Sequence, residues 1–408
     1  MKKLLQVALG ILAAIGGFVD IGDLVFNVQA GAAFGYRLLW VVVIGVVGII
    51  VYSEMCGRVA AVAGRPVFDA VRERLGFSVG LSALIASEIV NFMTLAAEVG
   101  GLAIGLQLLS GLPFHLLALV AALALGLVIW VLPFEWIERL FGYMGLCLLV
   151  FAVAAIKLHP DWSAVADGFV PSSPPGDRLV YAYFVIGLLG AAMTPYEVYF
   201  YSSGAVEEGW TPKDLGLNRA NALIGYGLGG FLSLSLMIMA GALFLPNGIE
   251  PELLGTVALG AQVPLGTIGL LLALLGICFA VGGAAIDTCF SGAYNLAQFF
   301  GWEWGKNRTH AEAPRFTLAW LVLIVLALGV TMTGIDPVML TEYAVIFSVV
   351  ALPLTYLPIL LVANDRAYMG RYVNGRVANA FGVVYFLVIL VVAVTAIPLM
   401  LLTNQGQG

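Results

Sequence analysis

Charge is scarce in this chain: only 10% of its 408 residues are Asp, Glu, Lys or Arg. Soluble globular domains carry about a quarter, so a water-soluble fold is excluded. Histidine is scarcer still, and all three, His115, His159 and His310, fall in segments that read as loops. No imidazole is therefore placed inside an apolar segment to titrate near neutral pH. The four cysteines, Cys56, Cys147, Cys278 and Cys289, lie apart with no CxxC spacing. That excludes a disulfide framework or a zinc site and leaves them as small core residues. The net charge of −6 includes no basic patch large enough for nucleic acid. No nucleophile–base set is visible, which argues against an enzyme, and no obligatory protein partner is evident.

What is abundant is apolar sequence, with 62% of residues hydrophobic. Runs of about 18 or more such residues recur along the chain and predict an all-α polytopic membrane protein in a lipid bilayer, where only closed helices satisfy the backbone. The opening "MKKLLQVALGILAAIGG" has the basic start and apolar stretch of a signal peptide, but the run continues past residue 17 and further spans follow. It reads as the tip and first half of the first span. Eleven spans are expected, at 6–32, 38–62, 78–109, 113–132, 138–157, 179–205, 217–245, 264–300, 315–333, 338–363 and 377–402, making 1–408 one transmembrane domain. The connection at 158–178 holds "HPDWSAVADGFVPSSPPGDR", too polar and proline-rich to cross a membrane. Lys2, Lys3, Arg65, Arg72, Arg74, Arg139, Lys213, Arg219, Lys306, Arg308, Arg315, Arg366, Arg371 and Arg376 fall on one set of span ends. The opposite ends carry Arg37, Lys157 and Arg178 among acids such as Asp161, Asp167, Glu250, Glu252 and Asp336. The basic ends predict a cytoplasmic N-terminus and, with eleven spans, an outside C-terminus.

Two spans are interrupted near their middles. The first breaks at "GGFVDIGD" (16–23), where Gly16, Gly17 and Gly22 loosen the backbone and Asp20 and Asp23 put two carboxylates into apolar surroundings. The sixth breaks at "GLLGAAMTPYE" (187–197), where Pro195 has no N–H and disfavours helix at Thr194. Ordinary helix kinks would account for either break alone. Their places, each first in a block of five spans, point instead to an inverted-repeat transporter with repeats at about 6–157 and 179–363 and an added helix at 377–402. A structural acid capping a broken helix would explain Asp20. It explains a second acid three residues on less well, since unscreened like charges repel unless a cation lies between them or one is protonated.

These residues carry a family resemblance. "VDIGDLVFNVQAGAAFGYRLLW" (19–40) resembles the first-helix signature of the Nramp divalent-metal transporters, Asp-Pro-Gly-Asn followed by an "aGa.fGY.LLW" run. "AAEVGGLAIGLQLLSGLP" (96–113) is similar to the third helix, and "GLLGAAMTPYEVYFYSSG" (187–204) to the sixth-helix signature built on Met-Pro-His. "GIDPVMLTEYAVIFSVVALPLTYLP" and "MGRYVNGRVANAFG" resemble the starts of the tenth and eleventh helices. The resemblance implies a LeuT-type fold of five plus five helices with helices 1 and 6 broken, and an integral protein of a prokaryotic plasma membrane. It also implies a metal held by first-helix Asp and Asn side chains, a sixth-helix Met sulfur and an Ala carbonyl. Asp20 takes the Asp position and Ala191 the carbonyl. The other positions depart: Ile21 replaces Pro, Asp23 replaces Asn, Thr194 replaces Met and Tyr196 replaces His. Met193 lies next door, and a slip of one residue would restore the sulfur. Val345 stands for a tenth-helix Gln and Leu95 for a third-helix acid, with Glu98 kept beside it.

Losing the sulfur removes the soft donor, and a second carboxylate adds attraction for a small hard dication. With Gly22, Ala191, Ala192, Thr194 and Val345 leaving room for water, the pattern resembles the Nramp-related magnesium transporter branch. The expectation is import of Mg²⁺, with Mn²⁺ as a second cargo, by alternating access at Asp20, Asp23, Ala191 and Thr194. Met193, Pro195 and Tyr196 shape the site; the metal is cargo and no cofactor is implied. The usual proton relay is incomplete, so tight proton coupling is not expected. Glu197 and Asp287, with Glu98 and Val345, are candidates for a supporting or coupling role; structural roles for Glu54, Glu88 and Glu342 are equally open. The rivals are a proton-coupled Mn²⁺/Fe²⁺ importer and a cation-coupled organic-solute symporter on the same fold.

Overall fold

The computed structural model describes residues 18–172, 176–251 and 253–406. Lys2, Lys3, Gly16, Gly17 and Glu252 lie outside the described residues, as does most of the first half of span 1. The membrane helices are α1 Ile21–Phe34, α2 Leu39–Ala63, α3 Phe77–Ser110 and α4 Phe114–Val131. Next come α5 Phe134–Lys157, running through a 3₁₀ turn at Leu146–Leu148, then α6 Arg178–Ala192 and α7 Pro195–Glu207. The last are α8 Leu215–Asn247, α9 Leu254–Phe300, α10 Pro314–Thr331, α11 Pro337–Ala363 and α12 Arg376–Leu402. Ten spans, counting α6–α7 as one, are long and apolar enough to cross a membrane, and α1 is the described part of the eleventh. No strand occurs among the described residues.

Burial sorts the helices into layers. α3 and the α6–α7 pair are mostly enclosed, whereas α4 and α12 expose apolar rows such as Leu123, Leu127, Val391, Val394 and Leu401. Such rows are stable facing lipid chains and identify the outside of the bundle. Inside it, small residues let backbones meet. A Cβ on Gly31 of α1 would lie 2.5 Å from the Met237 carbonyl oxygen of α8, so these helices touch where only glycine fits.

The structure moves one predicted boundary. Span 8 was expected to begin at residue 264, but helix begins at Leu254 and turns at Gly266 (φ 66°, ψ −153°). Pro264 and a left-handed glycine read as an end in sequence; here they join two helical pieces. His115, expected in a loop, lies in the first turn of α4.

The basic ends are tied together by buried charge. Arg58 faces the Glu54 carboxylate at 3.2 Å and donates to the Tyr372 carbonyl at 2.7 Å and to Asn374 Oδ1 at 2.6 Å. Glu54 therefore holds Arg58 within α2, and Arg58 links that helix to the segment before α12. At the opposite end, Asp336 caps α11, accepting from Val338 N at 2.7 Å and Met339 N at 3.2 Å, with Pro337 at the first helical position. Asp336→Ala should reduce stability by about 1 kcal/mol, measured as a lower thermal midpoint in detergent, with Asp336→Asn close to wild type.

Candidate functional site

Both breaks lie beside buried carboxylate chemistry. On the first side Val19 and Asp20 are non-helical and α1 starts at Ile21, with Asp20 as its N-cap. Asp20 Oδ1 accepts from Asp23 N at 2.8 Å, and Oδ2 accepts from the Tyr196 hydroxyl at 3.1 Å, joining α1 to α7. Gly22, expected to loosen the break, is inside the first helical turn. Its missing side chain makes space instead: a Cβ there would sit 2.8 Å from Val345 Cγ2 of α11. Val345 thus packs directly over the break.

Asp23 is turned toward α8. Its carboxylate accepts from Asn27 Nδ2 at 2.8 Å and from Ser233 Oγ at 2.5 Å. Asp20 and Asp23 are within electrostatic range of each other, and both are almost fully buried. Beyond α1 itself, their hydrogen-bond partners lie on different helices, Tyr196 on α7 and Ser233 on α8. Asn27, one turn on, is legible from helical spacing; Ser233, 210 residues away, has no local signal.

On the second side α6 ends at Ala192, Thr194 is extended (φ −67°, ψ 136°) and Pro195 opens α7. The Ala191 carbonyl would ordinarily accept from the N–H four residues on, which is Pro195 and has none. Ala192 faces Gly45 of α2, where an added Cβ would lie 2.6 Å from its own. The Met193 sulfur is directed into the same helix: a Cβ on Gly48 would be 2.7 Å from it. The Met193 carbonyl accepts from the Tyr356 hydroxyl at 3.2 Å. Thr194 makes no side-chain capping bond. Thr194 is buried like its neighbour Met193.

Around this core lie further acids. Tyr196 is within electrostatic range of Asp20, Glu98, Glu197 and Asp287, and its carbonyl accepts from Ser291 Oγ of α9 at 3.0 Å. Glu98 Oε1 accepts from Thr288 Oγ1 at 3.3 Å, whereas Oε2 has no partner among the described residues. Asp287 and Glu197 line a cavity running toward the basic ends. Glu342 lies apart at the opposite end, accepting from Gln29 Nε2 at 2.8 Å beside a vestibule that also includes Glu250. Glu88 faces α9 near Asn91 and Gly292. Among the described residues no three His, Cys, Asp or Glu side chains form a metal-holding group. A cation at the breaks would complete its shell with backbone oxygen, hydroxyl or water.

The architecture has solved counterparts. The Eremococcus coleocola manganese transporter superposes with a TM-score of 0.76 at 21% identity, covering 98% of this chain and 87% of that one. Mhp1, a nucleobase-cation-symport-1 family transporter, does so at 0.60 and 15% identity, covering 96% and 91%. These establish the LeuT-type fold with its broken helices. Among curated sequences, the divalent metal cation transporter MntH of Aeromonas hydrophila is 28% identical over 402 residues, 93% of this chain and 92% of that protein. The Deinococcus radiodurans protein of the same name is 27% identical over 395 residues, 93% and 86% of the two chains. The profile of the natural resistance-associated macrophage protein-like family, Nramp, matches residues 10–398, and this chain belongs to that family.

Proposed function

We propose that this chain carries divalent metal cations across a prokaryotic plasma membrane, with Mn²⁺ as its principal cargo. The observation that carries the reading is the pair of buried carboxylates at the first break, with Asp20 bonded across to the second break through Tyr196. In this reading Asp20 is the main ligand, supported by Asp23, the Ala191 carbonyl and the Thr194 hydroxyl. The MntH relatives and the manganese transporter neighbour favour Mn²⁺ over the Mg²⁺ expected from the donor set alone. The two expectations meet in the chemistry, because carboxylate, carbonyl and water suit both ions. Mg²⁺ remains the second reading on one observation: the nearest sulfur, on Met193, is turned into the α2 contact.

The basic helix ends support a cytoplasmic N-terminus and an outside C-terminus. A dication entering a compartment at −100 mV gains about 4.6 kcal/mol, at about 2.3 per charge. That drives accumulation of roughly a thousandfold at about 1.4 kcal/mol per decade, so entry needs no proton. Proteoliposomes with a potassium-set negative interior should take up Mn²⁺, faster as the potential grows, with no acidification in step. Excess Mg²⁺ should compete. Absence of Mn²⁺ uptake, or a requirement for an organic solute, would overturn the proposal. Half-saturation by Mg²⁺ below that by Mn²⁺ would restore the magnesium reading, and stoichiometric acidification would put a proton in the cycle.

A further inference from the structure

Beyond the breaks, a narrow cavity of about 60 Å³ leads toward the basic ends. Four carboxylates line it, from Glu138 of α5, Glu197 and the adjoining Glu208 of α7, and Asp287 of α9. One cationic side chain joins them: Lys306, from the segment after α9. This lysine is not a surface residue. Its side chain is 4% exposed, with the ammonium 3.5 Å from Glu138 and 3.7 Å from the centre of the Phe134 ring. Its backbone is pinned as well, because Lys306 N and Asn307 N donate to the two oxygens of Glu207 at 2.7 and 3.2 Å. Burial opposes the charge, but Glu138, with Glu208, Glu207 and Asp287 beyond it, holds the lysine above its ordinary pKa. A permanent ammonium is therefore built into the cavity.

Glu197 supplies an independent observation. It is 6% exposed, and its Oε2 has no hydrogen-bond partner among the described residues. A buried carboxylate oxygen left unpaired is destabilising and asks for a partner that comes and goes. Glu197 stands in the first turn of α7, between Asp20 and Asp287, and is within electrostatic range of both. The cavity holds four acids against one ammonium, so it remains attractive to cations.

We propose that this cavity is a second cation station, between Asp20 and the basic ends, and that Lys306 is a tethered ammonium occupying it until a hydrated divalent cation displaces it. The proposal rests on the metal-transport reading for the identity of the cation and on the geometry for the station. Because no three acids among the described residues close into a metal-holding group, the ion keeps its water and is held weakly, as a transit point requires. The tether solves an electrostatic problem: without a cation, buried Glu197 and half-buried Glu138 and Asp287 would share one cavity with no positive charge. When the ion arrives, the flexible lysine stem carries the ammonium toward Glu208 on the same wall.

The test counts Mn²⁺ bound to the purified full-length chain in detergent, by loss of the free-ion paramagnetic resonance signal. At a free Mn²⁺ concentration too low to displace the lysine, wild type should bind one ion, Lys306→Met two, and Lys306→Arg one. Lys306→Met with Asp287→Asn should return to one. Asp20→Ala should bind none, and Asp20→Ala with Lys306→Met one. If Lys306→Met aggregates on size exclusion, Lys306→Gln is read in its place. A charge-removing variant that is monodisperse and binds no more than wild type overturns the station. An Asp20→Ala protein that binds like wild type, while Lys306→Met still gains an ion, leaves the station standing and removes Asp20 as the principal ligand.

Discussion

Asp20→Ala should lower Mn²⁺ uptake by on the order of a hundredfold, about 2.8 kcal/mol at 1.4 kcal/mol per decade, with the protein still folded. The informative companion is Asp20→Asn. Asp20 caps α1 through Asp23 N and accepts the Tyr196 hydroxyl. An asparagine keeps an oxygen for either bond, and asparagine caps helices as well as aspartate does. If Asp20 were only a cap, Asn would transport like wild type and Ala would be less stable by about 1 kcal/mol. If it is the metal ligand, Asn should fail nearly as completely as Ala, because the amide carries no charge for a dication. Uptake into liposomes, read with the thermal midpoint of each variant, separates these outcomes. Wild-type rates for Asn would remove Asp20 from the site.

The parts legible in sequence were those fixed by local chemistry. Apolar runs announced the spans because a bilayer accepts little else. Pro195 marked the second break within 187–197, since it forces Thr194 into extended backbone and deprives Ala191 of its N–H partner. At the first break the glycine was misleading: Gly22 is helical, and its need for space comes from Val345, more than three hundred residues away. Between Met193 and Thr194 the sequence left the register open, and the packing of the Met193 sulfur against Gly48 is a tertiary contact with no local signal. Likewise Asp23 read as half of an acidic pair, while Ser233 on α8 takes one of its oxygens. Lys306 read as one more positive-inside residue. Its burial among acids from α5, α7 and α9 is a product of tertiary packing that no spacing encodes.

Thr194→Met should raise Cd²⁺ uptake relative to Mg²⁺ by roughly tenfold or more, since thioether sulfur favours soft ions and oxygen hard ones. Thr194 is the position to change because it is buried at the break and its hydroxyl caps nothing. The substitution adds volume at a buried position, which costs about 1–3 kcal/mol where neighbours cannot shift, so total uptake should fall while the ratio rises. Met193→Leu is the control: its sulfur packs against Gly48, so Mn²⁺ uptake and the Cd²⁺/Mg²⁺ ratio should stay at wild-type levels. The opposite pattern, with Met193→Leu depressing Cd²⁺ uptake and Thr194→Met leaving the ratio unchanged, would mean that the sulfur turns toward Asp20 during transport. The hard-donor account of the site would then fail, because the soft ligand would have been present one residue earlier.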